Sequence, residues 1–195
     1  MDIRCFVELK IPYEIRSKLY SCASDLKQKL NPYLSTRVSS EDDLHITLKF
    51  FGNVFENRLE EISSSFEKIR LKPFLIKING VNYFMNHKKI TVVFAAIEIS
   101  EELLKLKSEI DDAVLKLGFF PDERFFFHVT LLRVNKYRSF FDDEDFLNRN
   151  RKISEVIYGL KFAENLMNVN SFYFMRTNFT EHKTMHSVIK KFKLN

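Results

Sequence analysis

Tryptophan is absent from this chain of 195 residues, and cysteine, glycine and proline are scarce at two, four and four. Cys5 and Cys22 are too few and too far apart to make a disulfide framework or a metal knuckle, which favours a reducing compartment. With so little glycine and proline, no Pro/Gly/Ser-rich linker divides the chain, and a collagen-like sequence is ruled against. No apolar run approaches the roughly 18 residues that cross a bilayer. Charges at Asp2, Arg4, Glu8 and Lys10 interrupt any signal-peptide-like start. The expectation is a cytoplasmic, monomeric chain without a membrane partner, folded as one domain over residues 1–195.

What is present is a large apolar inventory. Hydrophobic residues make up 45% and charged residues 29%, with 21 Phe, which suits a packed globular core and argues against disorder. Phe builds cores first, but its faces also stack on nucleobases. The 31 Lys and Arg against 26 Asp and Glu leave a net charge of +5 and a pI near 9.1. That balance leans towards a polyanionic partner, since basic side chains that neutralise phosphates release counterions.

Along the chain, residues 3–9 are predicted as a strand. Ile15, Leu19, Cys22, Leu26 and Leu30 recur at helical steps between Pro12 and Pro32. Residues 34–43 are polar, 44–51 form a strand ending at Gly52-Asn53, and 57–70 are helical. Residues 73–79 and 90–98 are strands joined by a polar connection over 82–89. Ser100 caps a helix that Gly118 stops. Residues 125–134 are a strand and 141–158 a polar helical stretch. Strands come next around 168–176 and over 188–194, the last an edge strand with its lysines outward.

Each half carries a similar hexapeptide, His45-Ile46-Thr47-Leu48-Lys49-Phe50 and His128-Val129-Thr130-Leu131-Leu132-Arg133. The pair reads as a weak internal repeat, so two similar lobes would place corresponding strands on either side of a shared cleft. Side chains alternate along a strand, which sets His45 and Thr47 on one face and Ile46 and Leu48 on the other, with the same division in the second copy. Two imidazoles with unperturbed pKa values near ~6.5 suit a reaction that needs a base and an acid together. Opening a cyclic phosphodiester is such a reaction. One imidazole takes a proton from attacking water and the other protonates the departing sugar oxygen, while the threonine hydroxyls donate to the non-bridging oxygens. The scheme needs neither metal nor cofactor.

At these motifs the sequence resembles the 2H phosphoesterases, and among them the RNA 2′,3′-cyclic phosphodiesterases also called 2′-5′ RNA ligases (LigT-like). The likeness covers most of the chain. Besides the two His-x-Thr motifs it includes Arg4-Cys5-Phe6-Val7 ahead of Leu9-Lys10-Ile11-Pro12, the run from Leu44 to Val54, and Pro121-Asp122-Glu123-Arg124-Phe125 before the second motif. The resemblance implies an α+β, bilobal fold of two pseudo-symmetric antiparallel sheets with outer helices around a central cleft. It also implies hydrolysis of RNA 2′,3′-cyclic phosphate ends to 2′-phosphates, with His45 as acid, His128 as base, and possible reversible 2′-5′ joining. Phe127 stands where the family usually has Pro, Lys10 where an acidic residue is common, and residues 184–187 where the family usually has a Gly and a Tyr.

Further residues are candidates for holding substrate. Strand parity puts Lys49, four after His45, on the catalytic face, where its ammonium would meet a terminal phosphate. Arg133 falls on the opposite face unless a bulge intervenes, so it is either a phosphate contact or a salt-bridge partner behind the sheet. Arg124 either reaches the RNA backbone or is a solvated charge. His182 and His186 have a spacing that suits metal ligands on a helix, but without a third ligand they read as surface histidines. His87 reads as a solvated loop residue, and Phe119, Phe120 and Phe125 to Phe127 as core more than stacking platform. Other readings are a 2H enzyme acting on 2′-5′ oligoadenylates, cyclic nucleotides or U-tailed RNA, and a non-catalytic RNA-binding module. Binding alone would not need two proton carriers.

Overall fold

The computed structural model describes residues 2–123, 125–138, 143–160, 165–179 and 184–195. Strand β1 (Asp2–Lys10) leads through Pro12 into helix α1 (Tyr13–Leu30), where the Pro12 carbonyl accepts the first helical N–H groups from Ile15 and Arg16. Strands β2 (Leu34–Val38) and β3 (His45–Phe55) come next, then the short helix α2 (Leu59–Ser65) and the hairpin β4 (Phe74–Asn86) and β5 (Lys89–Ile97). Helix α3 (Glu101–Leu115) precedes β6 (His128–Tyr137), helix α4 (Asp143–Tyr158), and strands β7 (Asn165–Val169), β8 (Ser171–Phe179) and β9 (Thr184–Lys193).

The strands form two antiparallel sheets, ordered β3-β1-β8-β9 and β2-β6-β5-β4-β7. Helix α3 packs on the first sheet with α2 against it, and α1 and α4 pack on the second. Each sheet holds one His-x-Thr strand, yet neither sheet is a half of the sequence. The His45 sheet is completed by the last two strands, and the His128 sheet takes β2 from the first half and α1 as cover. A single buried cluster runs through both, from Cys5, Val7 and Leu9 to Val129, Leu131 and Leu132. Both cysteines are buried and unpaired, and burial pushes each thiol up to about 11, which leaves them inert packing groups.

Several local signals act as expected. Ser100 Oγ accepts from the Leu103 N–H at 3.2 Å to cap α3, and Gly118 stops the chain beyond it at φ +85°. Among the described residues the edge strand β9 pairs only with β8, and it carries Lys190, Lys191 and Lys193 exposed. Other expectations need correction. Within the polar stretch, residues 34–38 pair with β6 as a strand. The expected connection over 82–89 is a long hairpin closed by His87 and Lys88 at φ 46° and 63°, since a two-residue turn with both φ values positive matches the twist of its strands. The expected strand around 168–176 is two strands in different sheets, β7 and β8. No helix of the described residues is long and apolar enough to cross a membrane.

Candidate active site

His45 opens β3 and His128 opens β6, and the two rings are held alike. His45 Nδ1 lies 2.7 Å from the carbonyl of Asp43, and His128 Nδ1 lies 2.8 Å from the carbonyl of Phe126. A carbonyl only accepts, so Nδ1 carries the hydrogen in both rings and donates it. In each case the acceptor sits two residues upstream, where the chain turns into the strand. Among the described residues neither Nε2 has a protein partner, nor do the hydroxyls of Thr47 and Thr130. Each motif therefore presents one free imidazole nitrogen and one free hydroxyl.

Beyond the threonine, each strand carries a β-bulge. On β3, Glu8 of β1 pairs with Thr47 but Val7 pairs with Lys49, so Leu48 is the extra residue. On β6, Phe94 pairs with Thr130 but Val93 pairs with Leu132, so Leu131 is the extra residue. A bulge inverts the alternation beyond it. Lys49 thereby turns from the histidine face to the face it shares with the core residue Val7. It is 1% exposed, with Nζ 3.0 Å from Asp111 Oδ1 of α3, 3.9 Å from Asp122, and bonded to the Phe120 carbonyl. Lys107 pairs with the same Asp111. The expected phosphate contact from Lys49 is thus corrected to a buried ion-pair network under the motif strand.

The second bulge has the opposite consequence for Arg133, bringing it onto the Thr130 face. There it pairs in register with Arg37 of β2, and partial desolvation, Arg37 and Arg4 all push its guanidinium pKa down. Arg4 lies on β1 in the same alternating row as Phe6 and Glu8. Among the described residues none of these three arginines has a carboxylate partner. A like-charged pair directly opposed across two strands is destabilising by itself, and it leaves uncompensated positive charge at this edge of the cleft.

Around the histidines the walls are aromatic. His128 stands edge-on to Phe84 and Phe94 at 5.0 and 5.4 Å between centroids, with Phe126 against both phenylalanines. His45 lies 5.2 Å from the ring of Phe6, which also contacts Phe50. Phe126 and Phe50 are 47% and 52% exposed on this face. The phenylalanine run is therefore divided, since Phe127 is buried and Phe125 packs against the core while Phe126 faces the cleft. Phe119 also packs on the core, and Phe120 is exposed.

Two residues that sequence reasoning set aside join the site. His186, expected at the surface, faces His45 at 5.8 Å between centroids and Phe6 at 4.9 Å, with Nδ1 3.2 Å from Thr177 Oγ1. It sits on a strand in register with Thr177 and not on a helix. Glu8, buried on β1, puts Oε2 3.6 Å from His45 Nδ1. Extending the final strand's alternation back from Val188 would have placed His186 on the cleft face. Glu8 gave no signal beyond a charge amid apolar neighbours. Arg124 and His182 lie outside the described residues. Among the described residues no cluster of three His, Cys, Asp or Glu is placed to hold a metal ion.

Burial dominates the titration of the site. His45 has 21% of its side chain exposed and protein packed on the rest, which pushes its pKa down to about 4. The bond to the Asp43 carbonyl opposes that shift, and His186 and His128 add to it. Desolvation also lowers His128, with Arg133 adding to the effect, and it lowers His186. Glu8 moves the other way, pushed up to about 7 by burial.

Residues 9–94 match the family model described as LigT like Phosphoesterase. An RNA 2′,3′-cyclic phosphodiesterase of Archaeoglobus fulgidus is 30% identical over 134 residues, covering 69% of this chain and 74% of that protein. One of Methanothermobacter thermautotrophicus is 28% identical over 197 residues, covering 100% of each. In structure, the chain is similar to a protein of Thermus thermophilus at TM-score 0.73 and 23% identity, over 98% of this chain and 97% of the other. It is similar to E. coli LigT complexed with 3′-AMP at TM-score 0.75 and 19% identity, over 100% and 99%.

Proposed function

This chain belongs to the LigT-like phosphoesterases, and on that premise we propose that it hydrolyses the 2′,3′-cyclic phosphodiester ends of RNA to 2′-phosphates, with His45 and His128 as its acid–base pair. The observation that carries the reading is the matched fixation of the two rings. Each is anchored through Nδ1–H to a carbonyl two residues upstream, so each works through Nε2. His128, neutral at physiological pH because desolvation lowers its pKa, removes a proton from water as the water oxygen attacks phosphorus. The bond from phosphorus to the 3′-oxygen breaks, and that oxygen takes the proton carried by His45 Nε2. The product is a 2′-phosphate beside a 3′-hydroxyl. Thr47 and Thr130 donate to the non-bridging oxygens, where negative charge grows in the transition state.

Arg4, Arg37 and Arg133 are suited to the phosphates of the RNA strand leading to that end, because guanidinium forks match phosphate oxygens in pairs. Phe50 and Phe126 offer stacking faces for the bases. A 5′-hydroxyl in place of water would pass through the same steps and give a 2′-5′ linkage, which is the joining reaction.

The test is product analysis on a panel of an oligonucleotide with a 2′,3′-cyclic phosphate end, a 2′-5′ oligoadenylate, a cyclic mononucleotide and a U-tailed RNA. The cyclic-ended oligonucleotide is expected to be turned over fastest and to yield a 2′-phosphate. His45→Ala and His128→Ala are each expected to lower turnover by roughly 10²–10⁴-fold while remaining folded. A 3′-phosphate product, binding without turnover, or full activity in both variants would overturn the reading.

A further inference from the structure

A buried carboxylic acid beside the acid–base pair is left unused by this mechanism. Glu8 is 4% exposed on β1, between β3 and β8, and its carboxyl makes no hydrogen bond among the described residues. Its nearest ionic neighbour is Nδ1 of His45 at 3.6 Å. Burying an acid costs stability, and an apolar side chain would fill the place at less cost. Its position is set by register, since Glu8 lies directly opposite Thr47 and therefore on the catalytic face.

We propose that Glu8 is the positioning residue of His45, its carboxylate standing on the Nδ1 side of the ring and compensating the positive charge that His45 must carry before it protonates the leaving 3′-oxygen from Nε2. The proposal rests on the reading of His45 as the acid.

The need for such a group comes from the burial of His45. An imidazole pushed down to about 4 is unprotonated at neutral pH and needs a further charge beside it to act as an acid. Glu8, pushed up to about 7, retains its own proton into the neutral range. Between about pH 4 and 7 the two groups together hold one proton. Carboxylate beside imidazolium is then one arrangement of that proton, and the acid beside neutral imidazole is the other. An arriving phosphate favours the first, because its negative charge attracts the imidazolium. No proton passes from Glu8 to substrate, and the proton delivered is the one on Nε2.

The other charged groups around Glu8 modulate the pair without replacing it. Lys10 on the same strand lowers the Glu8 pKa and Asp43 before β3 raises it. On β8, Tyr173 pairs with Glu8 and lies under both Lys10 and Lys191, at 4.8 and 5.5 Å from its centroid. On β9, His186 lowers the pKa of His45, as does His128 from the other sheet.

Glu8→Gln keeps the shape and removes the charge, so the test is its pH–rate profile beside that of the wild type on a cyclic-ended oligonucleotide. The alkaline limb is expected to move to lower pH by about one unit or more, with turnover near pH 8 down roughly tenfold and KM little changed. Glu8→Asp should restore part of the shift. An unmoved limb would overturn the proposal. The ring Cε1–H resonance of His45, identified by its loss in His45→Ala, gives a readout independent of turnover. With inorganic phosphate present at saturation, His45 should titrate at higher pH in the wild type than in Glu8→Gln, and equal midpoints would refute the coupling. If Glu8→Gln does not fold, the wild type and Glu8→Asp carry the same comparison. Full activity in His45→Ala would instead show that the assignment of the acid had failed.

Discussion

The ring of His186 stands edge-on to that of His45, with centroids 5.8 Å apart and planes at 81°, and Phe6 is wedged against both. This third imidazole comes from the final strand, which joins the His45 sheet through β8. Its Nδ1 meets Thr177 Oγ1, and the prediction is that it lines and shapes the wall. His186→Phe retains the ring and removes the nitrogens. Steady-state kinetics should show kcat within about twofold of the wild type and KM raised by roughly three- to tenfold, the pattern of lost uniform binding. A fall in kcat as deep as that of His45→Ala would make His186 a proton carrier.

Arg37 and Arg133 face each other across β2 and β6. If they hold RNA phosphates, Arg37→Met and Arg133→Met should each weaken binding of a cyclic-ended oligonucleotide across sequences and flatten the salt dependence of log Kd by about 0.7–1. Arg37→Met should also leave the fold as stable as before or a few tenths of a kcal/mol more so, because a like-charge opposition is removed. Fluorescence anisotropy over a salt series measures the first effect and urea unfolding the second. An unchanged salt slope would place the strand elsewhere.

Lys49 belongs to the fold, and the prediction for it is a separation of stability from catalysis. Lys49→Met removes the cation buried against Asp111 and leaves that carboxylate with Lys107 alone among its basic partners. Breaking a buried pair from one side costs about 3 kcal/mol, which denaturant unfolding would show. The folded enzyme should retain kcat/KM within about twofold. A large kinetic loss at unchanged stability would return Lys49 to the substrate.

Glu8 should also make the fold sensitive to alkali. Its folded-state pKa lies above its ordinary value, so the stability linked to its proton is fully present below about 4.5 and is lost as pH rises through about 7. With the side chain 5% exposed, the loss at pH 8 amounts to roughly 3 kcal/mol. Glu8→Gln cannot ionise and should be the more stable protein at pH 8, with the difference vanishing near pH 4.5. Thermal unfolding across that range checks this. A variant less stable than wild type at pH 8 would mean that the carboxylate is fully compensated in the resting protein.

The His-x-Thr pairs were legible because strand alternation is local. A residue and its second neighbour share a face whatever the rest of the chain does, so His45 with Thr47 and His128 with Thr130 needed no tertiary information. One residue further the local rule failed, because a bulge at Leu48 and another at Leu131 exchanged the faces of the residues beyond them. The consecutive apolar residues Leu131 and Leu132 were a visible mark of the second bulge. At the first, Lys49 stands where Leu132 stands in the other copy, and its charge concealed the pattern.

Helix α1 and the cap at Ser100 were likewise readable from periodicity and capping chemistry. The sequence alone therefore determined which short segments carry the chemistry, which faces their first residues share, and the kinship of the two motifs. The tertiary structure alone decided the company they keep. Pairing between distant strands brought β8 and β9 to the His45 sheet and β2 to the His128 sheet, and with them His186, Arg37 and the opposition of Arg37 to Arg133. Register between strands far apart in sequence is chosen by burial of whole faces, a property of the assembled sheets that no window of neighbouring residues contains.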